Sequence, residues 1–325
     1  MTGKGRGVGW PARLHVVTGK GGTGKTTVAA ALALALAADG GRVLLVEVEG
    51  RQGIAPRFGL GLLPYQERRV ATTPGGGEVR ALAVDAEEAL LEYLDMFYKL
   101  GVAGRALRKV GAIDFATTIA PGLRDVLLTG KVKESVTRTA DGRRFYDSVV
   151  LDAPPTGRIG RFLNVTAETA RLAKVGPIKN QSEGVAAILR SPMTTVHVVT
   201  LLEEMPVQES ADAMAELTEL GIPLGRVIVN NAREPVLAGV KITAAEVKRG
   251  LVAAGLPADR ETVAGLVAEG RAYQTRLEVE AELRAGLDTL GRPVIELPAQ
   301  AGGVTRDGLD RLAKLLHDGL SKAVT

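Results

Sequence analysis

The chain has 325 residues, of which 46% are hydrophobic and 24% charged, so it is not a disordered polymer and has length for one or two domains around a large core. It contains no cysteine and only three histidines, His15, His197 and His317, which excludes disulfides, thiol nucleophiles, thiolate zinc sites and a histidine-rich metal centre. A net charge of +4 permits a basic patch but does not by itself point to nucleic acid.

The first residues, MTGKGRGVGWPA (1–12), hold no apolar run and read as a flexible tail rather than a secretory signal. Short apolar, β-branched runs follow at 14–18, 43–48, 79–84, 148–153, 195–200, 226–231 and 293–298. Most are apolar almost throughout, as strands buried on both faces of a parallel sheet are. Helical patterns fill the gaps at 29–38, 86–100, 207–220, 263–290 and 307–320. The alternation predicts a doubly wound α/β domain over 13–325, with a helical insertion at about 85–145 that carries no strand. The TPGGGE segment at 73–78 reads as a hairpin or loop. The longest apolar block, 28–38, is too short for the ~20 residues of a bilayer span, so the expected address is the cytoplasm, with peripheral membrane contact left open.

Directly after the first predicted strand stands GKGGTGKTT (19–27), which fits G-x-x-x-x-G-K-[ST] in its strand–loop–helix context. Gly19, Gly21, Gly22 and Gly24 allow backbone N–H groups to turn inward around phosphate oxygens, with Thr23 and Thr27 in the same loop and helix start. The helix that follows adds its positive end. Lys25 is expected to reach the β- and γ-phosphates, and the Thr26 hydroxyl to ligate Mg²⁺. Lys20 is outside the generic pattern. It could reach the phosphates of a neighbouring subunit, as an arginine finger does, or lie in solvent. The strand SVVLDAPPTG ends in Asp152, a carboxylate placed to hold the magnesium water shell, and its prolines stiffen the turn that follows. In VEVEGRQG (46–53), Glu47 and Glu49 alternate with valines and are read as pointing to opposite faces, one of them toward Mg²⁺ or the attacking water.

KGGTGKTT with its early lysine resembles the deviant Walker A loop of the MinD/ArsA group of dimeric P-loop ATPases. LDAPPTGRIGRFL (151–163) resembles switch II of the anion-transporting ATPase family, which holds the ArsA arsenite-pump ATPase and the tail-anchored-protein targeting ATPases. IAPGLRDVL (119–127), VTLLEEMPVQES (199–210), VIVNNA (227–232) and IELPAQAGGVTRDGLDRL (295–312) resemble further segments of that family over about 13–320. The likeness is greatest to the actinobacterial ArsA-like ATPases encoded as adjacent paralogous pairs. It implies a P-loop NTPase fold with ATP and Mg²⁺ as cofactors. Lys20 would act across a dimer, Lys25, Glu49 and Asp152 would serve catalysis, Thr26 and Asp152 the metal, and Asn230 and Pro298 the adenine. It further implies a homodimer or a heterodimer with a paralogous ArsA-like ATPase, and an unidentified protein cargo or membrane partner.

Some positions depart from the family. In the switch I segment EGRQGIAP, Glu49 stands at the family's first aspartate, and Pro56 stands where an aspartate orients the attacking water. With no cysteine, neither the zinc that the targeting ATPases share across their dimer nor thiolate-bound arsenite is expected. The segment after switch II is short, so a groove for a transmembrane helix is not expected in that form. The leading expectation is an ATP-hydrolysing dimer that couples nucleotide state to a partner. One alternative is a catalytically weak subunit of a heterodimer. Another is a ParA/MinD-like partitioning ATPase on non-specific DNA, against which the switch II likeness argues; no specific nucleic acid is expected. The basic residues Arg105, Arg108, Lys109, Lys131, Lys133, Arg138, Arg143 and Arg144 either meet an anionic partner or form a solvated face.

Overall fold

A computed structural model describes residues 12–98, 121–164, 177–300 and 302–321. Eight strands form one sheet in the order β10-β9-β8-β1-β7-β2-β4-β3. They are β1 (Leu14–Gly19), β2 (Arg42–Glu47), β3 (Arg68–Thr72), β4 (Glu78–Ala83), β7 (Ser148–Asp152), β8 (Thr194–Thr200), β9 (Leu224–Ala232) and β10 (Val294–Pro298). All neighbours are parallel except β3, which pairs antiparallel with β4. The seven apolar runs of the sequence are thus seven strands of a mostly parallel sheet. The eighth, β3, is RRVAT, a short charged strand at the sheet edge, where charge and brevity deter unwanted pairing and also hide it from a hydrophobicity pattern.

Helix α1 (Lys25–Ala37) is apolar on all sides, and twelve of its residues are buried. Such a helix needs cover all round. It lies between the sheet and α10 (Arg306–Ser321), whose Leu309, Leu312, Leu316 and Leu320 join the same core. The opposite face of the sheet is covered by α3 (Ala86–Tyr98), α4 (Pro121–Thr137), α5 (Thr156–Leu163) and α6 (Pro177–Leu189), through Leu90, Val126, Ile159, Phe162 and Val185. A third cluster joins α7 (Glu204–Glu219) and the end of α9 (Arg260–Asp288) to β8 and β9. The remaining helices are α2 (Ile54–Arg57) and α8 (Ala244–Ala253).

The stretch read as a strandless insertion carries α3 and α4, but also a small antiparallel hairpin of β5 (Thr139–Ala140) and β6 (Arg143–Arg144). Two-residue strands are too short to leave an alternation in the sequence. Arg105, Arg108 and Lys109 lie outside the described residues, as do residues 1–11. Lys131 is engaged by Glu92 at 2.9 Å, and Arg138 by Glu67 and Glu134, each at 2.7 Å, so these two cations are satisfied within the chain.

Within the sheet, His15 on β1 and His197 on β8 stack with ring centroids 5.4 Å apart. The His197 Nδ1 accepts from the Arg226 N–H at 3.3 Å, so its proton sits on Nε2, which donates to His15 Nδ1 at 3.1 Å. Burial pushes His15 down to about 4 and His197 well below its ordinary value; the Arg226 charge adds to both shifts. Because the unfolded chain takes up protons below about pH 6.5 and the fold does not, stability falls as pH falls from there toward 4. Each ring contributes about 1.4 kcal/mol per pH unit. Urea midpoints at pH 7, 6 and 5 are expected to show this loss, and H15Q is expected to have a shallower slope. An identical slope in H15Q would remove His15 from the account.

Candidate functional site

The carboxyl ends of β1, β2, β7, β9 and β10 share one edge of the sheet, and Lys20 to Thr27, Glu47, Glu49, Asp152, Asn230 and Pro298 lie in or beside those strand ends. Ligands of open α/β sheets bind outside this edge, where the strand order reverses around β1. The loop between β1 and α1 begins at Gly19, which lies so close to β8 that a Cβ would sit 2.1 Å from the Val199 carbonyl oxygen. Gly22 and Gly24 then adopt φ of 90° and 87°, a conformation that side chains with a Cβ rarely take. Gly21 and Gly22 are exposed at the rim. Buried Thr23 closes the turn, its hydroxyl donating to the Lys20 carbonyl at 2.9 Å. From β9, the Asn230 amide donates to the Thr23 carbonyl at 2.9 Å. The residue read as adenine-binding therefore also braces the loop. Pro298 ends the neighbouring β10 and pairs with Ala232 at the end of β9.

Inside the loop, Lys25 is 9% exposed and its ammonium donates to the Lys20 carbonyl at 3.4 Å. Burial pulls its pKa down, while Asp152 and Glu49 hold it up. The Thr26 hydroxyl donates to Asp152 Oδ2 at 2.6 Å, and Thr27 is buried behind it. Burial raises Asp152 to about 6; the Thr26 hydrogen bond and Lys25 oppose the shift, and Glu47 and Glu49 add to it.

The two glutamates do not part to opposite faces. Residues two apart along an extended chain share a side, and both carboxylates act on Asp152. Their work differs. Glu47 is 3% exposed, and its two oxygens accept from the N–H groups of Gly53 at 2.9 Å and Ile54 at 3.3 Å, which fixes the start of α2. A Cβ on Gly53 would come 3.2 Å from Thr26 Cγ2, so this segment packs directly on the loop helix. Glu49 lies 3.4 Å from Arg158 Nη1 and 3.8 Å from Arg51, which links the chain after β2 to α5 after β7. Pro56 stands within α2.

Lys20 turns toward its own chain. Its ammonium is 2.8 Å from Glu209 Oε1 on α7, and Glu209 Oε2 accepts from the Thr156 hydroxyl at 3.1 Å. No local pattern marks Glu209, because its partners lie far away in sequence. The same holds for Glu47 as a clasp on Gly53. A cleft of about 610 Å³ opens beside α5, lined by Gly50, Asp85, Arg124, Asp125, Arg158 and Arg161. It places the chain after β2, the start of α5 and the helices α3 and α4 around one polar space.

The donors near Thr26 are all oxygens, Thr26 Oγ1 and the carboxylate of Asp152, and they suit a hard cation held partly by substrate phosphates. Among the described residues no cluster of three His, Cys, Asp or Glu could cage a metal by itself. Among them also, no helix is long and apolar enough to cross a membrane.

The family profile described as anion-transporting ATPase matches residues 12–191. The chain is 53% identical to the protein named ATPase BagA of Mycobacterium tuberculosis, over 96% of both chains. It is 26% identical to ATPase GET3 of Kluyveromyces lactis, over 66% of this chain and 70% of that one. It is also 26% identical to the arsenical pump-driving ATPase of Acidiphilium multivorum, over 66% of this chain and 38% of the relative.

Proposed function

The chain belongs to the anion-transporting ATPase family, and from that premise we propose that it binds and hydrolyses Mg-ATP as one half of a nucleotide-gated dimer. The observation that carries this reading is the convergence of Lys25, Thr26 and Asp152 beneath a loop in which Gly22 and Gly24 take a left-handed φ. Lys25 and the amides of 21–27 bind the phosphates, and Asn230 and Pro298 flank the adenine. Thr26 and Asp152 would hold Mg²⁺, which when bound supplies charge neutralisation at the β- and γ-phosphates. Lys20 acts on the phosphates of the other subunit, and Glu49 orients the attacking water. Residues 13–325 work as one ATPase domain with a helical insertion at about 85–145. The shared cleft lets α5 relay nucleotide state to that insertion, which meets the protein cargo or membrane partner.

A second reading, a catalytically weak subunit paired with a paralogous ATPase, is favoured by Pro56. That side chain offers no acceptor for water at the position where the family pattern that this segment resembles has an aspartate. Turnover and ATP binding by the purified chain, with sedimentation velocity in the presence and absence of Mg-ATPγS, separate the readings. Turnover together with nucleotide-dependent doubling of mass is the expected result. Binding without turnover selects the second reading. Absence of ATP binding overturns both.

A further inference from the structure

Lys20 is the side chain on which action across a dimer depends, yet its ammonium is engaged within the chain by Glu209 at 2.8 Å. Glu209 touches two elements at once. One oxygen takes the Lys20 ammonium from the phosphate loop, and the other takes the hydroxyl of Thr156, the first residue of α5. The Lys20 contact, and to a lesser degree the Thr156 hydrogen bond, hold the Glu209 carboxyl below its ordinary pKa, so it stays charged near neutrality. The carboxylate therefore joins the phosphate loop, α5 and α7 at one point, and a lysine held there is not extended toward another molecule.

We propose that Glu209 is a positioning residue that restrains Lys20 in its own subunit, so that ATP-driven closure requires the Lys20–Glu209 pair to part, freeing Thr156 and α5 in the same event. This rests on the dimer reading of the preceding subsection. The strength of the restraint follows from exposure. The two side chains are 30% and 35% exposed, and a pair of that kind is modest, about 0.2–1 kcal/mol, or roughly 1.4- to fivefold in an equilibrium. It is enough to set a threshold and too weak to block closure. The geometry suits a switch. Lys20 exchanges one anion for another, and a phosphate at the dimer interface carries more negative charge than the single carboxylate it would leave.

The test measures the Mg-ATPγS concentration for half-maximal self-association by sedimentation velocity, together with single-turnover hydrolysis. It uses full-length wild type, E209Q, K20A and the K20A/E209Q double variant. E203Q serves as a control, because Glu203 is an exposed carboxylate near the start of the same helix. E209Q is expected to lower the half-maximal concentration about two- to fivefold with an unchanged melting temperature. K20A is expected to abolish association, and the double variant to match K20A. A shift in E209Q that persists without Lys20, an equal shift in E203Q, or no shift in E209Q where K20A does abolish association would each overturn the restraint while leaving the dimer reading intact. Wild-type behaviour in K20A would instead overturn the action of Lys20 across the dimer. Association in E209Q alone, with wild type monomeric throughout, would support the restraint.

Discussion

Replacing Lys25 with alanine is expected to cut ATP turnover by at least 10²- to 10³-fold and leave the fold intact. That is the usual loss when one preorganised positive group facing developing phosphate charge is removed. The structural half of the expectation comes from what Lys25 does for the fold, which is little. The ammonium is nearly buried, its pKa is drawn down by that burial, and its hydrogen bond to the Lys20 carbonyl is a long 3.4 Å. A buried cation with one long hydrogen bond, its desolvation only offset by the nearby carboxylates of Asp152 and Glu49, adds little net stability. The loop geometry rests instead on Gly22, Gly24, the Thr23 turn and the Asn230 brace, none of which the substitution touches. Steady-state turnover, ATP affinity and a melting curve on K25A decide it. More than a tenth of wild-type turnover, or a melting temperature lowered by many degrees, would sink the assignment.

Much of this site was legible in the sequence because its parts are local. Gly19 to Thr27 form one continuous loop, and a strand that ends in Asp152 has only one sheet edge to end on. Asn230 and Pro298 were placed by resemblance alone, and the structure sets both at that edge. What stayed hidden depends on residues that meet across long stretches of chain. Glu209 meets Lys20 only because α7 packs against α5 beside β1, a fact of topology that no spacing encodes. Glu47 could be noticed as a strand-end carboxylate. Its role as a clasp on Gly53 and Ile54 depends on how the chain turns after β2, where Gln52 takes a left-handed φ of 53° and its amide clips Leu63 at both ends. The reading of Glu47 and Glu49 as opposed failed on simple geometry, since alternation with valine puts both on the side away from the valines. Strand β3 was missed because an edge strand is selected for charge and shortness, the reverse of the pattern that revealed the other seven.

The substitution Asp152→Asn should separate function from stability more sharply than K25A, because its two effects have opposite signs. The amide keeps an oxygen to accept the Thr26 hydroxyl but loses the charge that completes the oxygen donor set, so Mg²⁺-dependent turnover should fall about 10²-fold or more. The fold should gain. Asp152 is 7% exposed, and burial lifts it to about 6 from an ordinary 3.8, with Glu47 and Glu49 adding repulsion. A carboxyl whose folded value is raised binds its proton more tightly in the fold than in the unfolded chain. Its charged form is therefore a penalty above about pH 6, and the penalty fades as pH falls toward 4. The shift corresponds to about 1–3 kcal/mol at neutral pH, or several degrees in melting temperature for a chain of this size. This dependence runs against that of His15 and His197, whose neutral forms the fold requires, so acid removes one penalty while it imposes another. In D152N the relief is already present at pH 7.5. Its melting temperature should exceed that of wild type there, and the gap should narrow below pH 6 and close only as the pH falls toward 4. A D152N protein that melts below wild type at pH 7.5 would mean that the carboxylate supports the fold through its bond to Thr26, and the arrangement would then be structural rather than held in reserve for a metal-bound phosphate.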